Sequence, residues 1–263
     1  MSRISRLLRG LSQLPLVLPL VAALLAVGGF ALLAIPLTAQ VTADLSEGAS
    51  FRFKIAPDLP EFTFKVIPEV RQSDGDSPQS TVRDIEVYRG DSKQPLQHLT
   101  GCNWSDMEPP FHGSDWFRTE DVNFDGYNDV YVMTWWGATG NEGGCMWLYN
   151  PATGRFDYSK EFSELSRCWL DPSAKTILTF SRGGMAGLVY DARKYTVEGN
   201  KPVLILHERQ DWDFGKKQFH CVVEHRKGTE MVIRRDEWGI SKNGEGPCDP
   251  GKLFAGFRGG RDQ

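Results

Sequence analysis

Apolar and polar side chains alternate along most of the chain after residue 50, which is the pattern of half-buried β-strands. In FTFKVI, for example, Phe62, Phe64 and Val66 fall on one face of the strand. Such short strands at regular intervals predict an all-β fold, either propeller-like or a sandwich of short antiparallel strands, in a single domain. The further predicted strands are 84–90, 129–136, 145–150, 175–180, 187–192, 203–208, 219–225 and 230–236.

Turn signals separate these strands. The stretches NPATGRF and VEGNKP are typical of hairpin connections, because Gly154 and Gly199 can adopt positive φ without steric cost. The segment SKEFSELSR, residues 159–167, is the one predicted short helix.

The N-terminus contains an uncharged apolar run from Leu14 to Leu37, preceded by three arginines. Signal peptides usually have an apolar region of about 7–15 residues, whereas a membrane-spanning helix needs about 20. The run is long for a signal, but prolines and glycines interrupt it, and Val41-Thr42-Ala43 offers a cleavage site. Residues 1–43 are therefore predicted to be a signal peptide or an uncleaved inner-membrane anchor. Either alternative places residues 44–263 in the periplasm, since the arginines stay on the cytoplasmic side.

Charge and cysteine content indicate which partners and which disulfides to expect. The chain has 30 Lys+Arg against 34 Asp+Glu, so no basic excess points to nucleic acid as a partner. An exported protein with five cysteines is expected to form disulfides. Several pairings are open, and the shortest loops favour Cys145–Cys168 and Cys221–Cys248, which would leave Cys102 free.

The stretch DVNFDGYNDV gathers oxygen-bearing side chains in a short turn. Asp121, Asn123, Asp125 and Asp129 occupy positions 1, 3, 5 and 9 of a calcium loop, with Gly126 at position 6 and the carbonyl of Tyr127 as the position-7 ligand. Hard cations take six to eight oxygen ligands, and a glycine permits the sharp turn that makes alternate side chains converge. The pattern predicts a Ca²⁺ site that is followed directly by a β-strand and that stabilises the fold. The alternative is an Asp- and Asn-rich turn that binds no metal.

The segment that starts with this turn and ends with CMWLYNPATGRFDYSKEFSEL resembles a known family. It is similar to the calcium-binding periplasmic immunity proteins of bacterial type IV secretion systems, which are structural relatives of inhibitors of invertebrate-type lysozymes. The resemblance covers about residues 80–210. It implies an all-β, propeller-like fold with bound Ca²⁺. It also implies binding to a peptidoglycan hydrolase, with a loop that plugs the active cleft of the enzyme.

The stretch SRGGMAGLVY is the candidate inhibitory loop. Gly183 and Gly184 make it slim enough for a cleft, Arg182 could pair with a catalytic carboxylate, and Ser181 could add a hydrogen bond. In the family that the chain resembles, an inserted tyrosine follows a glycine-containing loop, which implies this role for Tyr190. The alternative is an ordinary hairpin with Tyr190 packed in the sheet.

Two other features are interpreted as structural. Trp135 and Trp136, like Trp147 and Trp169, are expected to pack in the core or on a sheet face rather than to form a sugar platform. No motif for nucleophilic or phosphate chemistry occurs in the sequence, so no catalytic residue is predicted.

The sequence thus favours a non-enzymatic periplasmic inhibitor of a lysozyme-like hydrolase. A calcium-dependent adhesion or glycan-recognition module of the integrin-repeat type is the alternative, although such modules repeat the acidic motif and this chain has it once. An enzyme whose acid pair assembles only in three dimensions is a third hypothesis.

Overall fold

The computed structural model describes residues 48–71, 79–103, 116–165, 168–240 and 244–254. These residues belong to one unit of the chain, Thr38–Gln263. The predicted signal or anchor, residues 1–43, lies outside the described residues. Among the described residues, no helix is both long and apolar enough to cross a membrane.

Nearly all regular structure in the described ranges is β-strand, as the alternation predicts. One helical turn, Lys160–Ser163, follows the strand Arg155–Ser159, and Ser159 caps it by accepting a hydrogen bond from the Phe162 N–H. The elements are β1 (Ala49–Lys54), β2 (Glu61–Arg71), β3 (Gln79–Arg89), β4 (Gln97–His98), β5 (Phe117–Glu120), β6 (Asp129–Trp136), β7 (Glu142–Asn150), β8 (Arg155–Ser159), α1 (Lys160–Ser163), β9 (Cys168–Asp171), β10 (Thr176–Arg182), β11 (Tyr190–Glu198), β12 (Lys201–Asp213), β13 (Gln218–Lys227) and β14 (Glu230–Gly239).

The strands form three antiparallel sheets in which consecutive strands are neighbours. The first sheet has the order β1-β2-β3-β4, the second β5-β6-β7-β8, and the third β14-β13-β12-β11-β10-β9. None of the three closes on itself within the described ranges. The predicted all-β fold of antiparallel strands is confirmed.

Every predicted strand overlaps an observed one, whereas the short strands β1, β4, β5, β8 and β9 were not predicted. The predicted strand 129–136 coincides with β6, and both predicted hairpin turns have glycine at positive φ, +67° at Gly154 and +58° at Gly199. The strand predicted at 187–192 begins only at Tyr190, because Met185–Gly187 form a tight turn at positive φ just before it. The predicted helix 159–167 is reduced to the single turn α1.

The main core lies between the first and second sheets and is dominated by phenylalanine. Phe51 and Phe117 stack with ring centroids 4.5 Å apart, and Phe64 contacts Phe117 at 5.3 Å and Phe156 at 5.4 Å. These side chains are essentially inaccessible to solvent. Because each buried aromatic side chain removes a large apolar area from water, this cluster is the main stabilising contact between the two sheets.

A second, smaller core covers one face of the third sheet. Tyr190, Ala192, Cys221 and Val223 pack there with Cys248, which comes from the segment 244–254. The disulfide Cys221–Cys248 fixes that segment to β13. This disulfide confirms one of the two predicted pairings.

The other predicted disulfide, Cys145–Cys168, is wrong. Cys145 of β7 forms its disulfide with Cys102, so Cys168 is not the partner of Cys145. The chain after β4 returns along β7, where Thr100 O accepts a hydrogen bond from Trp147 Nε1 at 2.8 Å, so Cys102 lies beside Cys145. Cys168 belongs to the third sheet instead. Sheet placement, not loop length, therefore determines the pairing.

Candidate functional site

The acidic loop, residues 121–129, connects β5 to β6 at the start of the second sheet. Phe124 and Gly126 adopt φ values of +60° and +94°, so the backbone turns sharply at the positions that a calcium loop requires. Gly126 takes this conformation at no steric cost, whereas Phe124 is a non-glycine residue in the left-handed region.

Backbone N–H groups hold the side-chain oxygens inside this turn. Asp121 Oδ1 accepts from Asp125 N at 3.0 Å, and Asp121 Oδ2 accepts from Gly126 N at 2.9 Å. Asp125 Oδ1 accepts from Tyr127 N at 2.9 Å, and Asn123 Oδ1 accepts from Asp125 N at 3.2 Å. These donors offset part of the repulsion between the carboxylates. Burial nevertheless raises the pKa of Asp121 against the hydrogen bonds from Gly126 and Asp125.

Asp129 is the most deeply placed acid of the loop. It is fully buried, with Oδ2 accepting from Val122 N at 3.0 Å and Oδ1 from Tyr149 N at 2.9 Å. Burial raises the pKa of Asp129 to about 8, against the lowering effect of these two hydrogen bonds. Asp129 therefore attaches the acidic loop to β7 even without a metal.

The donor set suits a hard cation only in part. It consists of carboxylate, amide and carbonyl oxygens. Ca²⁺ prefers such oxygen ligands, whereas transition metals prefer thiolate and imidazole ligands. However, within the described residues no three His, Cys, Asp or Glu side chains are grouped closely enough to hold a metal ion. A bound cation would depend on Asp121 and Asp125, the amide oxygen of Asn123 and the carbonyl of Tyr127, with Asp129 behind them.

The acidic loop also contacts all three sheets. Asn128 N donates to Ile55 O at 2.9 Å, just after β1 of the first sheet. Asp129 bonds to β7 of the second sheet. On the third sheet, Asn123 Nδ2 lies 3.3 Å from Asn200 Oδ1 in the β11–β12 turn, and Lys175 Nζ donates to Phe124 O at 3.4 Å. The loop therefore lies at the junction of the three sheets.

The candidate inhibitory loop is the connection from β10 to β11. Ser181 and Arg182 end β10, and the chain then forms an exposed tip, defined here as residues 182–188. Met185, Ala186 and Gly187 are successive left-handed residues, with φ of 55°, 54° and 88°. Non-glycine residues in this region store strain of about 1–3 kcal/mol each and persist only where the surroundings hold them.

The base of the tip is closed by backbone contacts. Gly183 N donates to Val189 O at 2.7 Å, and a Cβ at Gly183 would come within 2.6 Å of the Val189 side chain. Glycine is therefore required at residue 183. The tip is a fixed protrusion rather than a loose linker.

Tyr190 is not part of this exposed surface, and its predicted role as an inserted residue is wrong. Its side chain is buried in the second core, stacked on Phe180 with centroids 5.2 Å apart. Its hydroxyl donates to Glu208 Oε1 at 2.6 Å. Burial, followed by the hydrogen bond to Glu208, raises the pKa of Tyr190. The tyrosine starts a strand whose alternation turns it inward, which is the alternative that the sequence left open.

We expect Tyr190→Phe to destabilise the protein by about 2 kcal/mol, because the buried Glu208 carboxylate loses its donor. Urea unfolding monitored by tryptophan fluorescence measures this change. Tyr158→Phe, at an exposed tyrosine, is the matched control and should leave the free energy of unfolding within about 0.5 kcal/mol. Equal stability of Tyr190→Phe and the wild type would contradict the assignment of Tyr190 to the core.

Asn141 joins the tip to the neighbouring β6–β7 turn, a connection that the sequence did not indicate. Asn141 Nδ2 donates to Arg182 O, and Arg182 N donates to Asn141 Oδ1, both at 2.8 Å. One side chain thus replaces the strand partner that Arg182 lacks on that side. The exposed Arg182 side chain projects from a backbone that is fixed on both sides.

Two of the four tryptophans interpreted as packed are exposed. Trp147 is buried and Trp169 is half-buried, as expected, but Trp135 and Trp136 at the end of β6 are 50% and 43% exposed. The alternation of β6 cannot reveal this, since the strand continues past the edge of the core. These two residues are therefore outside the core, and Trp135 rests against Gly137 and Gly143 of its own hairpin.

The interior of the second sheet holds an ion pair that the sequence did not indicate. Arg118 Nη2 donates to Glu142 Oε1 at 2.7 Å, and its guanidinium lies 4.1 Å from the Tyr131 ring centroid. Glu142 is fully buried, so it cannot contact a macromolecular substrate. Breaking such a pair is costly, because the remaining charge stays buried without compensation.

A second charged cluster crosses the outer face of the third sheet. His207 Nε2 lies 2.8 Å from Asp191 Oδ2, and His207 Nδ1 lies 3.1 Å from Glu224 Oε2. Arg193 Nε pairs with Asp191 at 2.9 Å. Burial acts to raise the pKa of Asp191, but His207 and Arg193 outweigh it and the pKa is lowered.

This cluster predicts a pH-dependent stability difference. Because the folded-state pKa of Asp191 lies below its unfolded value of about 3.9, its contribution is present above that pH and is lost as the pH falls through the folded value. We expect Asp191→Asn to cost about 1 kcal/mol at pH 7, allowing for solvent screening, and much less near pH 3. Urea unfolding at both pH values measures the difference. A cost that is the same at both would contradict the ionised pairing.

Comparisons with known proteins give little further information. No family model matches the chain, and no curated protein matches it. A solved structure described as that of a Xanthomonas type IV secretion system related protein is similar with a TM-score of 0.41 and 16% sequence identity. The similarity covers 73% of this chain and 91% of that one. A likeness of this degree supports no argument about fold or function.

Proposed function

We propose that the protein is a periplasmic inhibitor of a lysozyme-like peptidoglycan hydrolase, and that its tip enters the active cleft of that enzyme. The observation that supports this most directly is the tip itself, an exposed protrusion with three successive left-handed residues on a closed base. Strained, well-held backbone of this kind concentrates at functional sites. The resemblance of the segment around the acidic loop to immunity proteins supports the same conclusion.

Arg182 is the residue that would recognise the enzyme. Glycan-cleaving hydrolases use a pair of carboxyl groups in a cleft, and a guanidinium forms short, charge-assisted hydrogen bonds with a carboxylate. The Arg182 backbone is held by Asn141, so less conformational freedom is lost on binding. The side chain of Arg182 would thus replace the tyrosine that the family resemblance implies.

The acidic loop would support this function indirectly. Ca²⁺ held by the oxygens of Asp121, Asn123, Asp125 and Tyr127 would neutralise the loop and stiffen the junction of the three sheets. The third sheet, which bears the tip, contacts the loop through Asn200 and Lys175. The cation would therefore fix the scaffold and take no part in recognition.

The expected compartment agrees with the covalent structure. Two disulfides, Cys102–Cys145 and Cys221–Cys248, are compatible with an oxidising environment such as the periplasm. Cell-wall hydrolases act in that compartment. An inhibitor that protects its own cell must be present there.

An inhibition assay tests the proposal. The full-length protein, purified in mild detergent with Ca²⁺, is added to c-type, g-type and invertebrate-type lysozymes, and the release of soluble peptidoglycan fragments is measured. We expect inhibition of at least one enzyme, and Arg182→Ala should weaken it by about tenfold or more.

The matched control is Arg234→Ala, at an exposed arginine on β14 of the third sheet, which should inhibit like the wild type. No inhibition of any of the three lysozymes at a hundredfold molar excess would overturn the proposed function. Inhibition that is equal in the wild type and Arg182→Ala would instead overturn the role of the tip.

A further inference from the structure

Trp135 and Trp136 form an aromatic surface at the end of β6, beside the tip. They are 50% and 43% exposed, among the largest apolar exposures in the described ranges. Burying a side chain of this size would be favourable by a few kcal/mol, so leaving two adjacent ones in water needs a reason other than stability.

The backbone around Trp135 is shaped to receive its ring. The register of β6 against β7 shifts between Met133 and Trp135, which makes Thr134 the extra residue of a β-bulge. Bulges change the direction of the following side chains and are frequent near functional sites. The hydroxyl of Thr134 donates to Gly143 O at 3.3 Å on the opposite strand.

Two glycines lie against the two halves of the Trp135 indole. A Cβ at Gly143 would overlap Nε1, and a Cβ at Gly137 would lie 3.4 Å from Cζ3. The ring therefore rests across the backbone of the β6–β7 hairpin, and its exposed half faces away from it. A ring supported in this way cannot enter a pocket of a partner protein as a protruding anchor would. It offers a flat surface on which a ligand can stack.

The side chains around the Trp135 ring indicate which class of ligand could bind there. Residues 134–141, TWWGATGN, contain no charged side chain, so the surface suits a neutral molecule. The face of an aromatic ring is electronegative and attracts the positive edges of C–H groups. A pyranose ring presents a flat array of C–H groups to such a face, and the exposed Thr139 of the same hairpin carries a hydroxyl that can hydrogen-bond a sugar hydroxyl.

We propose that Trp135, with Trp136 beside it, is a stacking platform for the sugar rings of a neutral glycan. Asn141 connects this hairpin to Arg182, so the platform and the tip are neighbouring parts of one face. The inference does not depend on the proposed inhibition. A protein that binds both the polymer and the enzyme that cleaves it would be concentrated where that enzyme works.

Glycan binding is tested with two probes, a soluble β-linked tetramer of N-acetylglucosamine and insoluble peptidoglycan sacculi. The full-length protein in mild detergent is titrated with the tetramer by calorimetry and sedimented with the sacculi. We expect a dissociation constant of about 10⁻³ M or lower for the tetramer. Trp135→Ala should weaken it by about tenfold or more, whereas Trp135→Phe, which keeps an aromatic face, should retain most of it.

Trp238→Ala is the matched control, since Trp238 is 39% exposed on β14, and it should bind like the wild type. Thermal melts establish that the variants are folded. Absence of binding to both probes by the wild type, or equal binding by Trp135→Ala, overturns the proposal. If Trp135→Ala weakens only lysozyme inhibition and the wild type binds neither glycan, the surface contacts a protein and the glycan proposal is overturned.

Discussion

We expect Ca²⁺ to raise the thermal midpoint of the protein, and Asp125→Ala to abolish that response. Extracellular calcium modules have dissociation constants of about 10⁻⁴–10⁻³ M. At a concentration about 100 times the dissociation constant, binding to the folded state alone stabilises it by about 2.7 kcal/mol. For a domain of this size, that corresponds to an increase of roughly 5–10 °C, which differential scanning calorimetry with added Ca²⁺ and with chelator measures.

The physical reason is the concentration of negative charge in a partly buried turn. Asp121 and Asp125 already accept three backbone hydrogen bonds, yet burial and mutual repulsion still raise the pKa of Asp121. A divalent cation relieves both costs in the folded state and has no comparable site in the unfolded chain. Asp91→Ala, at an exposed acid outside the acidic loop, should keep the full response. A midpoint that is indifferent to both Ca²⁺ and chelator would show that the turn is an Asp- and Asn-rich turn without a metal.

Removing the Cys102–Cys145 disulfide lowers the free energy of unfolding by about 4 kcal/mol. The two cysteines are 43 residues apart, and the chain-entropy relation for a loop of that length gives this value at 25 °C. The double variant Cys102→Ser/Cys145→Ser is compared with the wild type by urea unfolding under oxidising conditions.

Cys168→Ser is the control that separates this pairing from the one the sequence favoured. Cys168 has no disulfide, so its replacement should cost far less than the double variant does. Peptide mapping of the oxidised protein provides an independent measurement. A cross-linked peptide that joins Cys145 to Cys168 would contradict the arrangement, as would a loss of several kcal/mol in Cys168→Ser.

Local patterns in the sequence predicted the long strands but missed β1, β4, β5, β8 and β9, which have six residues or fewer. Alternation located β6 to the residue, and the glycine turns after β7 and β11 were recognised because positive φ has a compositional signature. The predicted strand boundaries are wrong where a turn interrupts the regular pairing of strands. The strand around Tyr190 is predicted to begin three residues too early, at Gly187, since the apolar Leu188 and Val189 mimic a strand.

Contacts between distant segments could not be predicted. The pairing of Cys145 depends on the return of the chain after β4 along β7, and the fixing of Arg182 depends on Asn141, 41 residues earlier. Neither of these two contacts is reflected in a local sequence pattern. Trp135 illustrates the same limit, because its exposure follows from a β-bulge and from glycines on the opposite strand. The acidic loop could be predicted because its pattern lies within nine consecutive residues. Its position at the junction of the sheets could not, because distant segments determine it.

That place has a consequence for biogenesis. The segments that hold the acidic loop are translated both before it, at Ile55, and long after it, at Lys175 and Asn200. A nascent chain that ends at β8 contains the acidic loop. It lacks the two turns of the third sheet, at Lys175 and Asn200, that form hydrogen bonds with this loop. We therefore expect uptake of the ion to be a late event in maturation, so that occupancy would distinguish finished molecules from fragments and stalled intermediates.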